Sequence, residues 1–376
     1  MVGVGVGTNF SRVIGGGSAP SLDFLLRDDF ISSESSPLTS PRICEPGPGT
    51  LVFRQLDGAF SIANGALVYP NQVSPSGGDL QLAGNSFNRV IGLALFLRTT
   101  RTTLGLGSFG WSSSTIAGSS SVFQPFILDL GNGTSRYYTG LAYSEPSDIF
   151  ISGSPREYVI ILRSPGSLLF SRTVGGTWVL GWVENISTDT TLYPALENRS
   201  ALGTLDSIRV ANLMGGFNST YGISTDSIIG AVSQGTTFAH EANCLIENQV
   251  TRPSSGANSF SFRKQDSDNY WRLRCTSAGT LFLDEFIGGA LNVRGTSASA
   301  VATGGGSRVV IICSGTNIKI YSGGILSIEY ASASNFQNET EGEIISTGNG
   351  GNFSNLITWP RTMSGQALNQ LNLLAA

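Results

Sequence analysis

The sequence predicts an all-β protein made of two antiparallel β-sandwich domains, and three observations support this prediction. Glycine accounts for 48 of the 376 residues, and only 13% of the residues are charged, against typical shares of about 7% and about 25%. Short segments with a period of two, separated by glycine turns, recur along the chain. One such pattern occurs twice, which indicates a repeated domain in a chain long enough for two.

The repeated pattern is three consecutive short strands. Its second copy, at residues 308–330, begins with a continuous apolar run at 309–312, which predicts a strand covered on both faces. Two alternating strands follow, and in the last of them we expect Leu326 and Ile328 to point inward together. Residues 158–182 show the same order, with an apolar run at 159–162. We therefore expect the two stretches to occupy equivalent positions.

The chain divides into an arm and two domains. Residues 1–20 alternate glycine and valine and then contain three consecutive glycines, so we expect an extended N-terminal arm that is held by a partner subunit. The first domain is predicted at 21–213 and the second at 214–376, with Gly215 and Gly216 marking the boundary. Ser364 is placed to cap a short C-terminal helix that carries Leu371 and Leu374 on one face.

Alternation and apolar runs predict the remaining strands. Leu22, Phe24 and Leu26 open the first domain, and four prolines between 32 and 50 then predict an irregular segment. The longer predicted strands are 90–97, 123–130 and 208–213 in the first domain, and 228–232, 244–250, 259–264, 270–276 and 280–286 in the second.

Composition argues against several classes of protein. The net charge of −4 and the pI of about 5.1 disfavour a nucleic-acid partner. No apolar run is long enough for a membrane span, and the N-terminus lacks the basic region of a secretory signal. The cysteines form no CxxC motif, which disfavours a zinc site. We expect buried free thiols, with Cys275 and Cys313 as potential neighbours.

Several segments resemble a known family of modules. DNYWRLRCTSAGTLFLDEFIGG at 268–289, followed by VVIICSGTNIKIYSGGILSIEY at 309–330, resembles the concanavalin A-like (LamG-like) jelly-roll modules of tailed-bacteriophage virion proteins. FSIANGALVYP at 60–70 resembles the start of such modules, and TWPRTMSGQALNQL at 358–371 resembles the close of many phage structural proteins. The resemblance covers most of 21–376, and it transfers no binding residue.

The resemblance implies a structural protein of a tailed-phage virion that is assembled in the host cytoplasm. We expect a tail-associated position (fibre, tip or appendage), in which the protein could also present a host glycan-binding surface. A head decoration, cement or head-fibre protein is one alternative, and a stand-alone carbohydrate-binding module is another. The expected partners are other virion proteins, contacted through the arm, and further copies of the chain as a homo-oligomer.

Catalysis is not expected. Glycoside hydrolysis needs two carboxylates about 5–10 Å apart across a cleft. Glu339, Glu341 and Glu343 are evenly spaced, but Gly342 interrupts the run, so we expect the solvated start of a strand. Asp284 and Glu285 are adjacent and should face opposite ways. The single histidine, His240, has no nucleophile motif beside it.

Binding candidates are few. Calcium could be held by loop carboxylates at Asp266 and Asp268 or at Asp28 and Asp29, but ordinary turn chemistry explains both clusters, so no cofactor or metal is predicted. A glycan surface would use an exposed aromatic side chain beside polar loop groups. The candidates are Trp111, Tyr137, Tyr138, Trp182 and Trp271.

Overall fold

The structure is a computed structural model. It describes residues 22–35, 38, 40–51, 54–55, 60–68, 78–81, 86–88, 90, 92–101, 107–112, 123–129, 135–138, 143–144, 155–162, 167–183, 191–198, 203–213, 228–231, 233–302, 306–323, 325–362 and 365–376. The predicted arm at 1–20, the predicted boundary at 214 and the capping residue Ser364 lie outside these residues.

The first half of the chain forms eighteen strands in the described segments: β1 Phe24–Asp28, β2 Arg42–Ile43, β3 Thr50–Leu51, β4 Arg54–Gln55, β5 Ser61–Ala63, β6 Ala66–Val68, β7 Gly78–Gln81, β8 Phe87–Asn88, β9 Leu93–Arg101, β10 Gly107–Ser112, β11 Phe123–Asp129, β12 Ser135–Tyr138, β13 Tyr143–Ser144, β14 Arg156–Leu162, β15 Ser167–Thr173, β16 Val179–Val183, β17 Thr191–Asn198 and β18 Gly203–Asn212.

The described part of the second half adds twelve strands and one helix: β19 Ile228–Ala231, β20 Thr237–Ala239, β21 Cys244–Thr251, β22 Ala257–Phe262, β23 Tyr270–Thr276, β24 Thr280–Ile287, β25 Ala290–Ala300, β26 Ser307–Ser314, β27 Asn317–Ser322, β28 Ile325–Tyr330, β29 Glu341–Ser346, β30 Asn352–Pro360 and α1 Gly365–Ala375. Among the described residues, no helix combines the length and the apolar character that a membrane crossing needs.

Four main antiparallel sheets form two sandwiches. Sheet I has the order β16-β15-β14-β9-β18-β6-β5, with β1 also on β18, and sheet II has the order β13-β12-β11-β10-β17-β7-β4, with β8 on β17. Sheet III has the order β28-β27-β26-β21-β30-β19, and sheet IV has the order β25-β24-β23-β22-β29-β20. Sheets I and II enclose one apolar core, and sheets III and IV enclose another.

The strand order of the first sandwich repeats in the second. The sheet I path β16-β15-β14-β9-β18 with β1 on its end matches β28-β27-β26-β21-β30-β19, and sheets II and IV match in the same way. In both sandwiches the first strand pairs with the last one, as in a jelly roll. The structure therefore confirms the predicted fold class, which is all-β with two concanavalin A-like sandwiches and one short helix.

The two similar hairpins occupy equivalent positions, because β14–β16 and β26–β28 are corresponding edges of sheets I and III. Their apolar runs are buried on both faces, as the sequence predicted. In β14, Ile160 faces the first core while Val159 and Ile161 face the other way. In β26, Ile311 faces the second core and Val310 faces away from it.

A third apolar layer joins the two sandwiches. It lies between the outer faces of sheets I and III and includes the helix α1. This interdomain layer contains Ala94, Phe96, Val159, Ile161, Leu168, Phe170, Trp178, Leu180, Ala211, Leu213, Leu245, Val310, Ile312, Tyr321, Trp359, Leu371, Leu374 and Ala375. Leu371 and Leu374 are fully buried there, which confirms the predicted apolar face of the helix.

One prediction about the second hairpin is wrong. Leu326 and Ile328 were expected on the same face of β28, but Ile328 packs in the second core and Leu326 packs on the interdomain layer. The reason is a register shift in the β27–β28 ladder, where Ile320 pairs with Ile328 and Tyr321 pairs with Leu326. A bulge inserts one extra residue, so residues two apart point to opposite faces.

Candidate functional site

The outer face of sheet IV carries the side chains that point away from the second core. On β23, Trp271 and Leu273 point into that core, so Tyr270, Arg272 and Arg274 point outward. The register extends each of them into a row across β24 and β25. These rows are Tyr270–Phe286–Leu291, Arg272–Asp284–Val293 and Arg274–Phe282–Thr296.

A pocket of about 550 Å³ opens at one end of this face, a size typical of small-molecule sites. Its lining residues are Gln234, Gly235, Ser261, Lys264, Ser267, Tyr270, Glu343 and Ile345. Lys264 and Glu343 form an ion pair across the pocket. The hydroxyl of Ser261 accepts a hydrogen bond of 3.0 Å from the backbone N–H of Glu343, which holds β22 and β29 together below that pair.

Tyr270 supplies an aromatic wall of the pocket. Its ring stacks on Phe286 with 4.6 Å between the ring centroids and 16° between the planes. Burial raises the pKa of the Tyr270 phenol, so at neutral pH the group is an uncharged hydroxyl. The pocket therefore combines one fixed aromatic ring with a cation, a carboxylate and hydroxyl groups.

Glu343 belongs to the evenly spaced acidic run for which the sequence predicts a solvated strand start. Packing requires the glycine that interrupts this acidic run, because a Cβ at position 342 would overlap the ring of Phe238 on β20. Glycine lets the edge strand β20 carry a large side chain directly against β29. Glu343, the next residue on β29, lines the pocket and is half-buried beside Lys264.

Two arginines and one aspartate form a second cluster on the same face. Asp284 is fully buried, and both Arg272 and Arg274 donate hydrogen bonds to it. Each guanidinium also lies over an aromatic ring, Arg272 at 4.6 Å from the centroid of Phe286 and Arg274 at 4.2 Å from that of Phe282. These contacts hold the two cations flat on the sheet.

The spacing of Glu343 and Asp284 does not suit their use as a catalytic pair for glycoside hydrolysis. Glu343, Ser261, Arg272 and Asp284 are successive cross-strand neighbours, so three strand intervals separate the carboxylates. At about 4.8 Å per interval the separation is roughly 14 Å, which exceeds the roughly 5–10 Å that paired-carboxylate glycosidases use. Glu285 faces the other way, as predicted, and pairs with Arg294.

None of the aromatic residues that the sequence suggests for glycan binding is among the described lining residues of this pocket. Trp111 is fully buried in the first core against Phe87. Trp271 is fully buried in the second core, where its Nε1–H donates to the carbonyl oxygen of Asn335. Neither ring can stack on a ligand. Tyr137 and Tyr138 are on β12 and Trp182 is on β16, and their side chains lie outside the described residues.

The acidic loop clusters are occupied by protein partners. Asp266 accepts hydrogen bonds from the backbone of Asp268 and from the Nδ2 of Asn269, and the bond from Asn269 is the main cause of its lowered pKa. Asp28 pairs with Arg42, and Asp29 pairs with Arg209. Within the described segments, no group of three or more His, Cys, Asp or Glu side chains is arranged for a metal ion.

All four cysteines are free and buried, as expected. The cross-strand partner of Cys313 is Cys244, whereas Cys275 pairs in the ladder with Asn258 and Leu281. Cys275 was suggested as the neighbour of Cys313 from the sequence. Both residues do face the second core, but they belong to opposite sheets.

Comparisons with known proteins report partial similarity to solved β-sandwich structures. No protein-family description matches the chain, and no curated protein matches it. The chain is similar to an endo-β-1,3-glucanase from Pyrococcus furiosus (13% identity, 52% of this chain and 96% of that chain, TM-score 0.36).

It is also similar to the exoplasmic/lumenal domain of VIP36 in a Ca²⁺/Man3GlcNAc-bound form (9% identity, 50% of this chain and 93% of that one, TM-score 0.35). A third similar structure is the Caenorhabditis elegans galectin LEC-6 (11% identity, 36% of this chain and 99% of that one, TM-score 0.31). Because these TM-scores are low, the fold assignment rests on the strand order of this chain.

Proposed function

We propose that the protein binds glycans through the outer face of sheet IV. The observation that carries this proposal is the pocket in which the Tyr270 ring, the Lys264–Glu343 pair and the Ser261 hydroxyl converge. A saccharide presents hydroxyl groups at its edges and C–H groups on its faces. The charged pair and the hydroxyls suit the edges, because hydrogen bonds to charged groups are the stronger ones, and the aromatic ring suits a face.

The Lys–Glu pairs of the chain allow a matched test. Lys264 and Glu343 lie in the pocket, while Lys319 and Glu329 form a second cross-strand pair in sheet III. We expect glycan-array screening of labelled protein to identify a saccharide ligand. The Glu343→Gln variant should then bind it about tenfold more weakly, and Glu329→Gln should bind it as the wild type does. Equal binding by all three proteins would place the ligand elsewhere.

We also propose a setting for this activity, a structural role in a tailed-phage virion. Two features support it: the resemblance of 268–289 and 309–330 to virion modules, and the interdomain layer that joins both sandwiches into one body. The tail-associated position is preferred, and head decoration and a stand-alone carbohydrate-binding module are the alternatives. Contact through the arm at 1–20 and homo-oligomerisation belong to the same proposal.

Quantitative mass spectrometry of purified particles tests the virion role. A copy number of six or a small multiple supports a tail position, and hundreds of copies support the head. Absence from the particles, together with a monomeric purified protein, contradicts the virion role and leaves the stand-alone module. Deletion of residues 2–20 should abolish incorporation if the arm makes the contact.

A further inference from the structure

We propose that the cluster of Arg272, Asp284 and Arg274 binds the carboxylate of an acidic sugar residue. This inference rests on the proposed glycan-binding function and specifies its ligand as an anionic oligosaccharide. The neutral part of the ligand would occupy the pocket beside Tyr270. The acidic residue would lie further along β23, above the two guanidiniums.

The charge balance of the cluster favours an anion. Arg272 donates to Oδ2 of Asp284 from Nε at 3.0 Å and from Nη2 at 2.6 Å. Arg274 donates from Nε to Oδ2 at 2.8 Å and from Nη2 to Oδ1 at 3.2 Å. One carboxylate thus serves two guanidiniums, and a full positive charge is left over on this part of the sheet.

The guanidinium N–H groups that do not bind Asp284 belong to side chains that are held in place by packing. Among the described residues, the Nη1 groups of Arg272 and Arg274 have no hydrogen-bond partner. The side chains are only 15% and 22% exposed, because Phe286, Phe282 and Asp284 lie beneath them. A planar donor pair that is already fixed in place loses little conformational entropy when a carboxylate binds.

Charges on the neighbouring elements favour one orientation of an anionic oligosaccharide on this face. Lys264 is paired with Glu343, so the pocket itself is close to neutral. Asp266 and Asp268 lie in the loop before Tyr270, at the pocket end of β23. Arg274 is four residues after Tyr270 on β23, so it lies about 13 Å from Tyr270 at the usual rise of a strand. An anionic sugar is therefore repelled at the loop and attracted at Arg274.

A matched control pair lies in the same sheet. Arg294 on β25 pairs with the buried Glu285 at 2.8 Å and lies over the ring of Tyr330. Glu285 has only one arginine partner among the described residues, and its side chain faces away from the outer face of sheet IV. Loss of the Arg294 charge perturbs an arginine–carboxylate pair without changing the proposed site.

The test uses acidic oligosaccharides, each with its methyl ester, because the ester keeps the sugar and removes the charge. Isothermal titration calorimetry of the full chain is run with oligogalacturonides and sialylated oligosaccharides. We expect the acid to bind about tenfold more tightly than its ester. The Arg274→Gln variant should remove most of this preference, because it weakens binding of the acid much more than binding of the ester, and Arg294→Gln should keep the preference.

The possible failures can be distinguished. Equal affinity for acid and ester overturns this inference and leaves glycan binding intact, whereas binding of neutral glycans at another surface overturns both. If Arg274→Gln does not fold, the salt dependence of the wild type decides the question. From 50 to 500 mM NaCl the affinity for the acid should fall several-fold and that for the ester should not. An acid affinity that is insensitive to salt contradicts the proposal.

Discussion

The guanidinium of Arg209, on β18 of the first sandwich, donates a hydrogen bond of 3.0 Å to the carbonyl oxygen of Leu374 in α1. Arg98 and Arg27 donate in the same way to the carbonyl oxygens of Ala375 and Ala376. The helix has no basic residue in its own last turn, where the final carbonyls carry negative partial charge. Arginines of the first sandwich therefore cap a helix that follows the last strand of the second.

The Arg209→Met substitution should lower the free energy of unfolding by about 3 kcal/mol, because it removes the buried partner of both the Leu374 carbonyl and Asp29. Urea unfolding followed by tryptophan fluorescence measures the change. Arg27→Met is the control, since Arg27 pairs with Asp29 and Ala376 in a more exposed position and should cost less than about 1 kcal/mol. Equal costs for the two variants would contradict the capping role of Arg209.

A second prediction follows from the burial of Leu374 in the interdomain layer. The Leu374→Ala variant should lose about 2–5 kcal/mol of stability, because it leaves a cavity between helix and sheets that can close only in part. Asn369→Ala, on the exposed side of the same helix, should change stability by less than about 0.5 kcal/mol. A small effect of Leu374→Ala would mean that α1 contributes little to joining the sandwiches.

Much of the fold was predictable because its signals are local. The double-sided burial of β14 and β26 follows from their uninterrupted apolar runs, and the face of α1 follows from the spacing of its leucines. The opposite facing of Leu326 and Ile328 was not predictable. A bulge depends on how two strands align in space, and nothing in the alternation of β28 marks it.

The site was only partly predictable, because it is assembled from distant segments. The sequence marks Glu343 as part of an acidic run, but Lys264 follows the end of β22 and no local pattern connects the two. The aromatic candidates show how strict the alternation of a strand is. The sequence suggests Trp271 as a glycan-binding aromatic residue, but its side chain lies in the second core, while the side chain of its neighbour Tyr270 lines the pocket. One position along a strand reverses the face.

The single histidine should make the stability of the protein depend on pH. His240 is buried, its Nδ1 contacts the carbonyl oxygen of Glu241 at 2.9 Å, and its Nε2 accepts a hydrogen bond from the backbone N–H of Arg263. Burial lowers the pKa of His240 below the usual 6.5, and the charge of Arg263 adds to this effect. The folded protein therefore holds a neutral ring.

The unfolded chain binds a proton on His240 more readily than the folded protein does. The neutral ring of His240 therefore makes its full contribution to the free energy of unfolding above about pH 6.5. This contribution decreases as the pH falls from there towards the lowered pKa. Urea unfolding between pH 8 and pH 5 should show this decrease. In His240→Gln the decrease should be smaller, because the chain has no other histidine. An unchanged pH profile in the variant would assign the dependence to other groups.

The contact of Gly342 with Phe238 links stability to the proposed binding face. In Gly342→Ala the new methyl group would overlap the Phe238 ring, so either the edge strand β20 or β29 must move. We expect a loss of about 1–3 kcal/mol, as for other overpacked sites. Glycan affinity should also decrease, because Glu343 is the next residue on β29 and lines the pocket.

A double-mutant cycle separates this overlap from a general effect of the substitution. Phe238→Leu removes the ring that the methyl group would meet, and alone it should cost stability because Phe238 is buried in the second core. In the Gly342→Ala/Phe238→Leu protein the combined loss should be smaller than the sum of the two single losses, because the shared clash is absent. Strictly additive losses would show that Gly342 is required for another reason, such as the backbone conformation of β29.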